Sequence, residues 1–71
     1  MSSYILFYSS NYVIWAKKEL TDKGIRCKIA AVPREISSDC GYCIEIFSKD
    51  KEKALEFLKI ANLPLDKIVD L

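Results

Sequence analysis

The apolar residues of this chain change their spacing along the sequence, and the order of these changes restricts the fold more than any other feature. Residues 4–10, YILFYSS, are uncharged and rich in aromatic and branched side chains. Such a run predicts a strand that is buried on both faces, because a strand with one solvated face alternates apolar and polar residues. We therefore expect this strand at the centre of a sheet.

A helix is expected after the first strand. Residues 9–11, SSN, offer capping side chains at its start. Gly24 can end it after about Lys23, in a left-handed backbone conformation. Within the helix the apolar residues are spaced by three and four, as a buried stripe requires. The members of this stripe are Val13, Ala16 and Leu20.

Two further strands are predicted in the middle of the chain. Residues 25–32 alternate, so that one face is apolar and the other carries Arg26 and Lys28. Pro33 has no N–H to donate and closes this strand, and residues 41–47, GYCIEIF, resume a strand composition. We expect the two strands to pair as a hairpin with a long loop. The apolar face holds Ile25, Cys27, Ile29 and Ala31.

The strongest helical periodicity in the chain predicts a second helix, capped by either Ser48 or Asp50. Residues 62–64, NLP, end this helix, because the residue before a proline is restrained from the helical conformation. Residues 67–71, KIVDL, predict a short final strand. The helical stripe consists of Ala54, Phe57, Leu58 and Ala61, with Leu55 beside it.

The predicted order of elements is β-α-β-β-α-β. This is the split βαβ, or ferredoxin-like, arrangement of the α/β (α+β) class, in which an antiparallel sheet carries two helices on one face. The other face then has no helix to cover it. Since the first strand is apolar on both sides, either set of its alternate residues can point to that open face. Either orientation places large apolar side chains there, so we consider a homodimer through this face. The two sets are Tyr4, Leu6 and Tyr8, and Ile5 and Phe7.

Size and charge exclude several classes of function. The chain is expected to form one domain, residues 1–71, and its 51% of apolar residues with two Gly and two Pro fit a compact fold. Eleven basic residues against ten acidic ones give a net charge of +1, which lacks the excess of positive charge that neutralises phosphates. No apolar run approaches the ~20 residues that span a bilayer. We therefore expect neither a nucleic-acid nor a membrane partner.

The chain contains three cysteines and no histidine, which narrows the chemistry further. Without histidine it lacks the commonest general base and the commonest metal ligand, and three cysteines are one short of a structural zinc set. We expect no metal and no cofactor. An odd number of cysteines without a mark of secretion argues against a disulfide framework and predicts a cytoplasmic protein.

Two of the cysteines fit structural positions. Cys27 is in phase with Ile29 on an apolar strand face, where a thiol behaves as a small hydrophobic group. Cys40 and Cys43 together form a CGYC dithiol pattern. In an extended strand, however, their Cα atoms would lie about 10 Å apart, whereas a disulfide tolerates about 4.4 to 6.8 Å. A Cys43 within the strand that faces away from Ile44 is therefore favoured over a redox pair.

Cys40 has a different setting. It follows the polar run REISSD, residues 34–39, and precedes Gly41, which lets the backbone turn sharply. An accessible thiol is expected there, and its reactive thiolate form is favoured by cations and hydrogen-bond donors but opposed by the adjacent Asp39 carboxylate. From the residues alone, a chemical role for Cys40 and a plain loop cysteine are both open. The groups that favour the thiolate are Arg34, Ser37, Ser38 and the Gly41 amide.

Residues 32–41, VPREISSDCG, resemble the motif of the putative selenium/sulfur carrier-like family of small microbial proteins. The similarity extends over essentially the whole chain, including the opening strand YILFYSS, the GI pair at residues 24–25 and an acidic-basic second helix. It implies that Cys40 matches the family's characteristic cysteine, whereas Cys27 and Cys43 match no motif position. The surrounding motif then consists of Pro33, Arg34, Ser37, Ser38 and Gly41.

The resemblance implies a carrier that holds sulfur or selenium on Cys40 as a persulfide or selenopersulfide. Such a protein takes the atom from a donor protein and releases it to an acceptor protein, without turnover of its own. Arg34 and the hydroxyl and amide donors of the motif would stabilise the thiolate. Two alternatives stay open: a regulatory module whose loop binds a small ligand or a protein, and a thiol-disulfide protein that uses Cys40 and Cys43.

Overall fold

The computed structural model describes residues 1–36 and 41–70, which form one antiparallel sheet of four strands and two α-helices. The strands are ordered β2-β3-β1-β4, and every neighbouring pair is antiparallel. This confirms the predicted ferredoxin-like arrangement, with β1 in the interior of the sheet. The elements are β1 (Ser2–Leu6), α1 (Ser10–Asp22), β2 (Cys27–Ala31), β3 (Tyr42–Phe47), a 3-10 turn (Ser48–Asp50), α2 (Lys51–Ile60) and β4 (Lys67–Asp70).

Both helices pack on one face of the sheet and form the core with it. Ile5 of β1 pairs with Ile44 of β3 on that face, and both side chains are fully buried. The two predicted helical stripes pack over this pair. The helices and the sheet thereby remove each other's apolar surfaces from water. Buried in the stripes are Val13, Ala16 and Leu20 of α1 and Ala54 and Leu58 of α2, with Phe57 and Ala61 partly buried against them.

The residues of β1 divide between the two faces in one of the two ways that the sequence allowed. Ile5 and Phe7 point into the core under the helices, so Tyr4 and Leu6 lie on the opposite side of the sheet. We call this opposite side the second face. Its members by strand register are Ser2, Tyr4, Leu6, Lys28, Ala30, Cys43, Glu45, Phe47, Lys67 and Val69.

The second face is not uniformly open to solvent. Leu6 and its cross-strand neighbour Cys43 are both fully buried, although the helices lie on the other side of the sheet. Phe47, by contrast, is 46% exposed, and Tyr8, just beyond β1, is 61% exposed. The second face therefore exposes less apolar surface than the sequence led us to expect. A homodimer through this face stays a prediction.

The limits of β1 differ from the prediction, because it spans Ser2–Leu6 instead of residues 4–10. The earlier start is explained by the buried side chain of Ser3. Its hydroxyl donates a hydrogen bond of 2.5 Å to Asp70 and lies 3.0 Å from the hydroxyl oxygen of Ser48. A buried hydroxyl needs such partners, so these contacts hold the start of the chain in the sheet.

The end of α1 is the left-handed turn that the sequence predicts. Gly24 has a φ of +81°, and its N–H donates to the carbonyl of Thr21 at 3.0 Å. The next N–H, that of Ile25, donates to the carbonyl of Leu20 at 2.9 Å. These two bonds make a Schellman motif. Since Ile25 belongs to this motif, β2 begins at Cys27 and not at the predicted residue 25.

α2 ends in the same motif, built with asparagine. Asn62 has a φ of +57°, and its N–H donates to the carbonyl of Lys59 at 3.0 Å. The N–H of Leu63 donates to the carbonyl of Leu58 at 3.0 Å, and both leucines belong to the core. The predicted end of the helix at residues 62–64 is confirmed, and the chain returns to the sheet as β4.

The starts of the helices follow the prediction in position but not in mechanism. Ser9 occupies the N-cap position of α1, and Asp50 occupies that of α2. Neither side chain makes a capping hydrogen bond. Ser48, the other predicted cap, instead begins the 3-10 turn that precedes α2.

The contacts of Asp70 make the stability of the fold depend on pH. The hydrogen bond from Ser3, followed by that from Lys51 at 2.9 Å, lowers the pKa of Asp70 below its ordinary value of 3.8. A carboxyl group with a lowered pKa stabilises the fold above its ordinary pKa, and this contribution is lost as the pH falls through the lowered value.

We expect Asp70→Asn to reduce the free energy of unfolding most at neutral pH, with a difference from wild type that shrinks as the pH falls below about 4. Urea unfolding followed by circular dichroism at several pH values measures this difference. Asp66→Asn is the control, since Asp66 is exposed and forms no ion pair with a described residue. A difference between wild type and Asp70→Asn that is independent of pH would contradict the assignment.

Candidate functional site

The connection between β2 and β3, residues 32–41, contains the predicted site, and the structure describes both of its ends. The N–H of Val32 donates to the carbonyl of Gly41 at 3.1 Å. These two residues continue the register of the hairpin, in which Ala31 pairs with Tyr42. A backbone hydrogen bond therefore closes the connection at its base.

A tight turn opens the connection. The N–H of Ile36 donates to the carbonyl of Pro33 at 2.9 Å, which places Arg34 and Glu35 at the centre of a β-turn. Both central side chains are exposed. Within the described parts of the chain no carboxylate forms an ion pair with Arg34.

Four residues of the predicted site region, Ser37, Ser38, Asp39 and Cys40, lie outside the described residues. Gly41, which follows Cys40 in the sequence, is described. It has a φ of +80° and is exposed. A Cβ atom at this position would meet no atom within 4 Å. Glycine is therefore favoured here by the backbone conformation and not by a lack of space.

Cys43 lies within β3 and faces away from Ile44, as the alternation of the strand predicts. Its side chain is fully buried on the second face, between its strand neighbours Leu6 and Ala30. The thiol lies 3.9 Å from the carbonyl oxygen of Ala31, to which it donates. A reagent in solution has no direct access to a thiol buried in this way.

Cys27 also has the structural setting that the sequence predicts. It is half-buried and packs against the core at the start of β2. Its thiol lies 3.7 Å from the hydroxyl of Thr21 and 3.8 Å from the carbonyl oxygen of Lys17. These contacts join the last turns of α1 to β2. The predicted position of Cys27 on the core side of β2 is confirmed, and its role as a small hydrophobic group stays a prediction.

Exposed apolar side chains surround the end of the hairpin from which the connection leaves. Tyr42 is 53% exposed and Ile29 is 44% exposed. Because Ala31 pairs with Tyr42 and Ile29 with Ile44, these two exposed residues are diagonal neighbours on one side of the sheet. The sequence predicted the apolar face for Ile29 but not its exposure, and it assigned no face to Tyr42.

A groove of about 440 Å³ lies at the opposite end of the hairpin. It is separated from the connection by the length of β2, about 13 Å for four residue steps. The sequence indicates this groove only through the exposed strand face predicted for Arg26 and Lys28. Nothing in the sequence indicates that Phe47 is exposed. The lining includes Ser2, Arg26, Lys28, Glu45 and Phe47.

The charges in this groove are partly compensated. The ammonium of Lys28 lies 3.4 Å from one carboxylate oxygen of Glu45, and the hydroxyl of Tyr4 donates to the other at 3.4 Å. Partial burial, and then the Glu45 carboxylate, raise the pKa of the Tyr4 phenol. The ammonium of Lys49 lies 5.8 Å from the centre of the Phe47 ring, as a cation–π contact.

Residues 2–70 match the model of the protein family described as Putative Se/S carrier protein-like. The chain belongs to this family. This confirms the family that the motif at residues 32–41 predicts, while the roles of the individual motif residues stay predictions. No curated protein and no solved structure matches the chain. In the described residues of this family member, neither helix has the length and hydropathy to cross a bilayer.

The backbone conformation of Gly41 gives a prediction for this Se/S carrier-like protein. Gly41→Ala is expected to lower the free energy of unfolding by about 1 to 2 kcal/mol, because an alanine at positive φ is strained. Urea unfolding measures the change. Gly41→Asn is the matched control and is expected to lose less, since asparagine tolerates this conformation better. An alanine variant as stable as the wild type would contradict the left-handed conformation at Gly41.

Proposed function

We propose that this protein is a sulfur or selenium carrier that holds the atom on Cys40, as a persulfide or a selenopersulfide. The observation that carries the proposal is the family match over residues 2–70, which includes the PREISSDCG segment. The carrier works in the reducing cytoplasm, where a free thiol persists. Its partners are a donor protein that supplies the atom and an acceptor protein that receives it.

The described ends of the connection support this role for the segment between them. The bond between Val32 and Gly41 anchors the segment to the hairpin. Arg34 lies on an exposed turn of the same connection and forms no ion pair with a described residue. A guanidinium in such a position can stabilise a thiolate or a persulfide anion. Cys40, next to Gly41 in the sequence, is the nucleophile in this scheme.

The transfer is an exchange between sulfur atoms that needs no outside oxidant. The Cys40 thiolate attacks the terminal sulfur of a donor persulfide, R–S–SH. The new S–S bond forms on Cys40 while the donor S–S bond breaks, and the donor leaves as the thiolate R–S⁻ with the electron pair of that bond. An acceptor thiolate repeats the step on the Cys40 persulfide and restores the Cys40 thiolate. Selenium in the terminal position follows the same course.

The remaining motif residues have supporting roles in this proposal. The hydroxyls of Ser37 and Ser38 and the amide of Gly41 donate hydrogen bonds to the anionic sulfur. Pro33 ends the strand and, through its carbonyl, holds the turn that carries Arg34. The exposed apolar residues beside the connection, Ile29 and Tyr42, suit contact with a partner protein, because aromatic and apolar groups are favoured in interfaces.

Alkylation kinetics and persulfide loading test the carrier proposal. We expect iodoacetamide to modify Cys40 first, with a rate that reaches half its maximum at a pH below about 8.5, the ordinary pKa of a cysteine. After incubation with glutathione persulfide, mass spectrometry should show the gain of one sulfur atom on the peptide that contains Cys40. Cys40→Ser should lose this gain, whereas the matched control Cys27→Ser should keep it.

An unreactive Cys40 that gains no sulfur would refute the carrier proposal. It would favour the alternative of a regulatory module whose loop binds a ligand without covalent chemistry. A disulfide between Cys40 and Cys43 in the oxidised protein would instead favour the thiol-disulfide reading. Peptide mapping after alkylation under non-reducing conditions separates these outcomes.

The role of Arg34 has its own test. Arg34→Gln is expected to move the pH at which Cys40 alkylation reaches half its maximal rate upward, by up to about one unit, because the nearby positive charge is lost. Arg34→Lys is the matched variant, since it keeps the charge and should restore most of the shift. Equal pH profiles for wild type and Arg34→Gln would show that this guanidinium does not stabilise the thiolate.

A further inference from the structure

β2 lies at one edge of the described sheet and β4 at the other, and β2 is the more apolar of these two strands. Among residues 1–36 and 41–70, the strand order β2-β3-β1-β4 leaves one side of β2 and one side of β4 without a neighbouring strand. Lys28 is the one charged residue in β2, whereas β4 carries both Lys67 and Asp70. Charged side chains on an edge strand oppose pairing with a further strand, so β2, with one charge against the two of β4, is the more suitable edge.

The bond at the base of the connection shows which backbone groups of β2 point outward. Val32 donates its N–H to Gly41, so Val32 belongs to the set of alternate residues whose backbone groups face β3. The other set therefore points its N–H and C=O groups away from the sheet. This outward set consists of Cys27, Ile29 and Ala31.

We propose that β2 pairs with β2 of a second copy, antiparallel, about a two-fold axis at Ile29. The two Ile29 residues then face each other as a hydrogen-bonded pair, and Cys27 of each copy faces Ala31 of the other. Each of these three pairs exchanges two backbone hydrogen bonds. The two sheets join into one continuous sheet, with the helices of both copies on the same side.

The charges of β2 suit this register. Lys28 of each copy lies opposite Ala30 of the other, so the lysines do not face each other across the new ladder, where like charges would be destabilising. Lys28 also keeps its ion pair with Glu45 within its own chain. Arg26 of each copy lies opposite Val32 of the other, which brings a guanidinium to the base of the neighbouring 32–41 connection.

Exposed apolar side chains lie where the two copies meet. Ile29 is 44% exposed, and Ile14 of α1 is 62% exposed. Ile14 lies three residues before Lys17 and seven before Thr21, and therefore on the same side of α1 as these two residues. The hydroxyl of Thr21 and the backbone carbonyl of Lys17 both contact Cys27, so this side of α1 faces β2. α1 runs antiparallel to β2, so Ile14 lies further along α1 in the direction of Ile29. Pairing at β2 would remove exposed surface of Ile29 from water.

Sedimentation equilibrium of the full chain, across a wide range of protein concentration, tests the proposal. The mass of one chain is 8.1 kDa, and we expect a concentration-dependent shift to twice that mass. A wild-type protein that stays at the mass of one chain at every concentration would overturn the proposal. The carrier chemistry is independent of this result, since it is read from the thiol.

Two substitutions at Ile29 locate the interface. Ile29→Lys places two ammonium groups opposite each other and should raise the dissociation constant of the dimer at least about tenfold. Ile29→Pro removes an N–H that points away from β3, so it should dissolve the dimer and leave the hairpin of the single chain paired. Ile60→Lys is the matched control, because Ile60 is an exposed isoleucine on α2, 69% exposed and away from β2.

Circular dichroism confirms that each variant is folded before its mass is compared. A dimer that persists in both Ile29 variants would overturn the assignment of the interface to β2. If Phe47→Lys, on the second face, dissolves the dimer and the Ile29 variants do not, the two copies meet through the second face instead.

Discussion

Ile5 and Ile44 face each other across the two interior strands, beneath both helices, and the remainder of the fold depends on this contact. A shift of one residue in a strand would turn every apolar side chain to the opposite face. The pair therefore fixes the register of β1 against β3 and, through β3, the register of β2. It also decides that Tyr4 and Leu6 face away from the helices, a choice that the composition of β1 alone left open.

Periodicity predicted the order and type of the elements because it is a local property of the sequence. The stripes of both helices and the alternation of β2 can be read without knowledge of their neighbours. The limits of the elements depend instead on residues distant in sequence, as for Ser3, which joins β1 because Asp70 and Ser48 bind its hydroxyl. Likewise, the composition around Ser9 and Asp50 predicted side-chain caps, yet neither side chain makes the bond.

How much the sequence predicts about the candidate site differs between the three cysteines. Alternation placed Cys27 against the core and Cys43 inside β3, since both positions follow from the period of a strand. The role proposed for Cys40 depends instead on the order of residue types in its motif, which periodicity does not detect. The groove beside Arg26 and Phe47 was not predictable, because its shape depends on how the ends of two strands meet in space.

The hydrogen bond between Val32 and Gly41 marks the boundary between the sheet and the connecting residues 33–40. Backbone atoms make this closure, and the entropy of a loop changes only slowly with its length. Residues 33–40 can therefore be exchanged, lengthened or shortened during evolution while the strands keep their alignment. The sheet is in this respect a constant scaffold, on which different connecting segments can be selected without the need for a new fold.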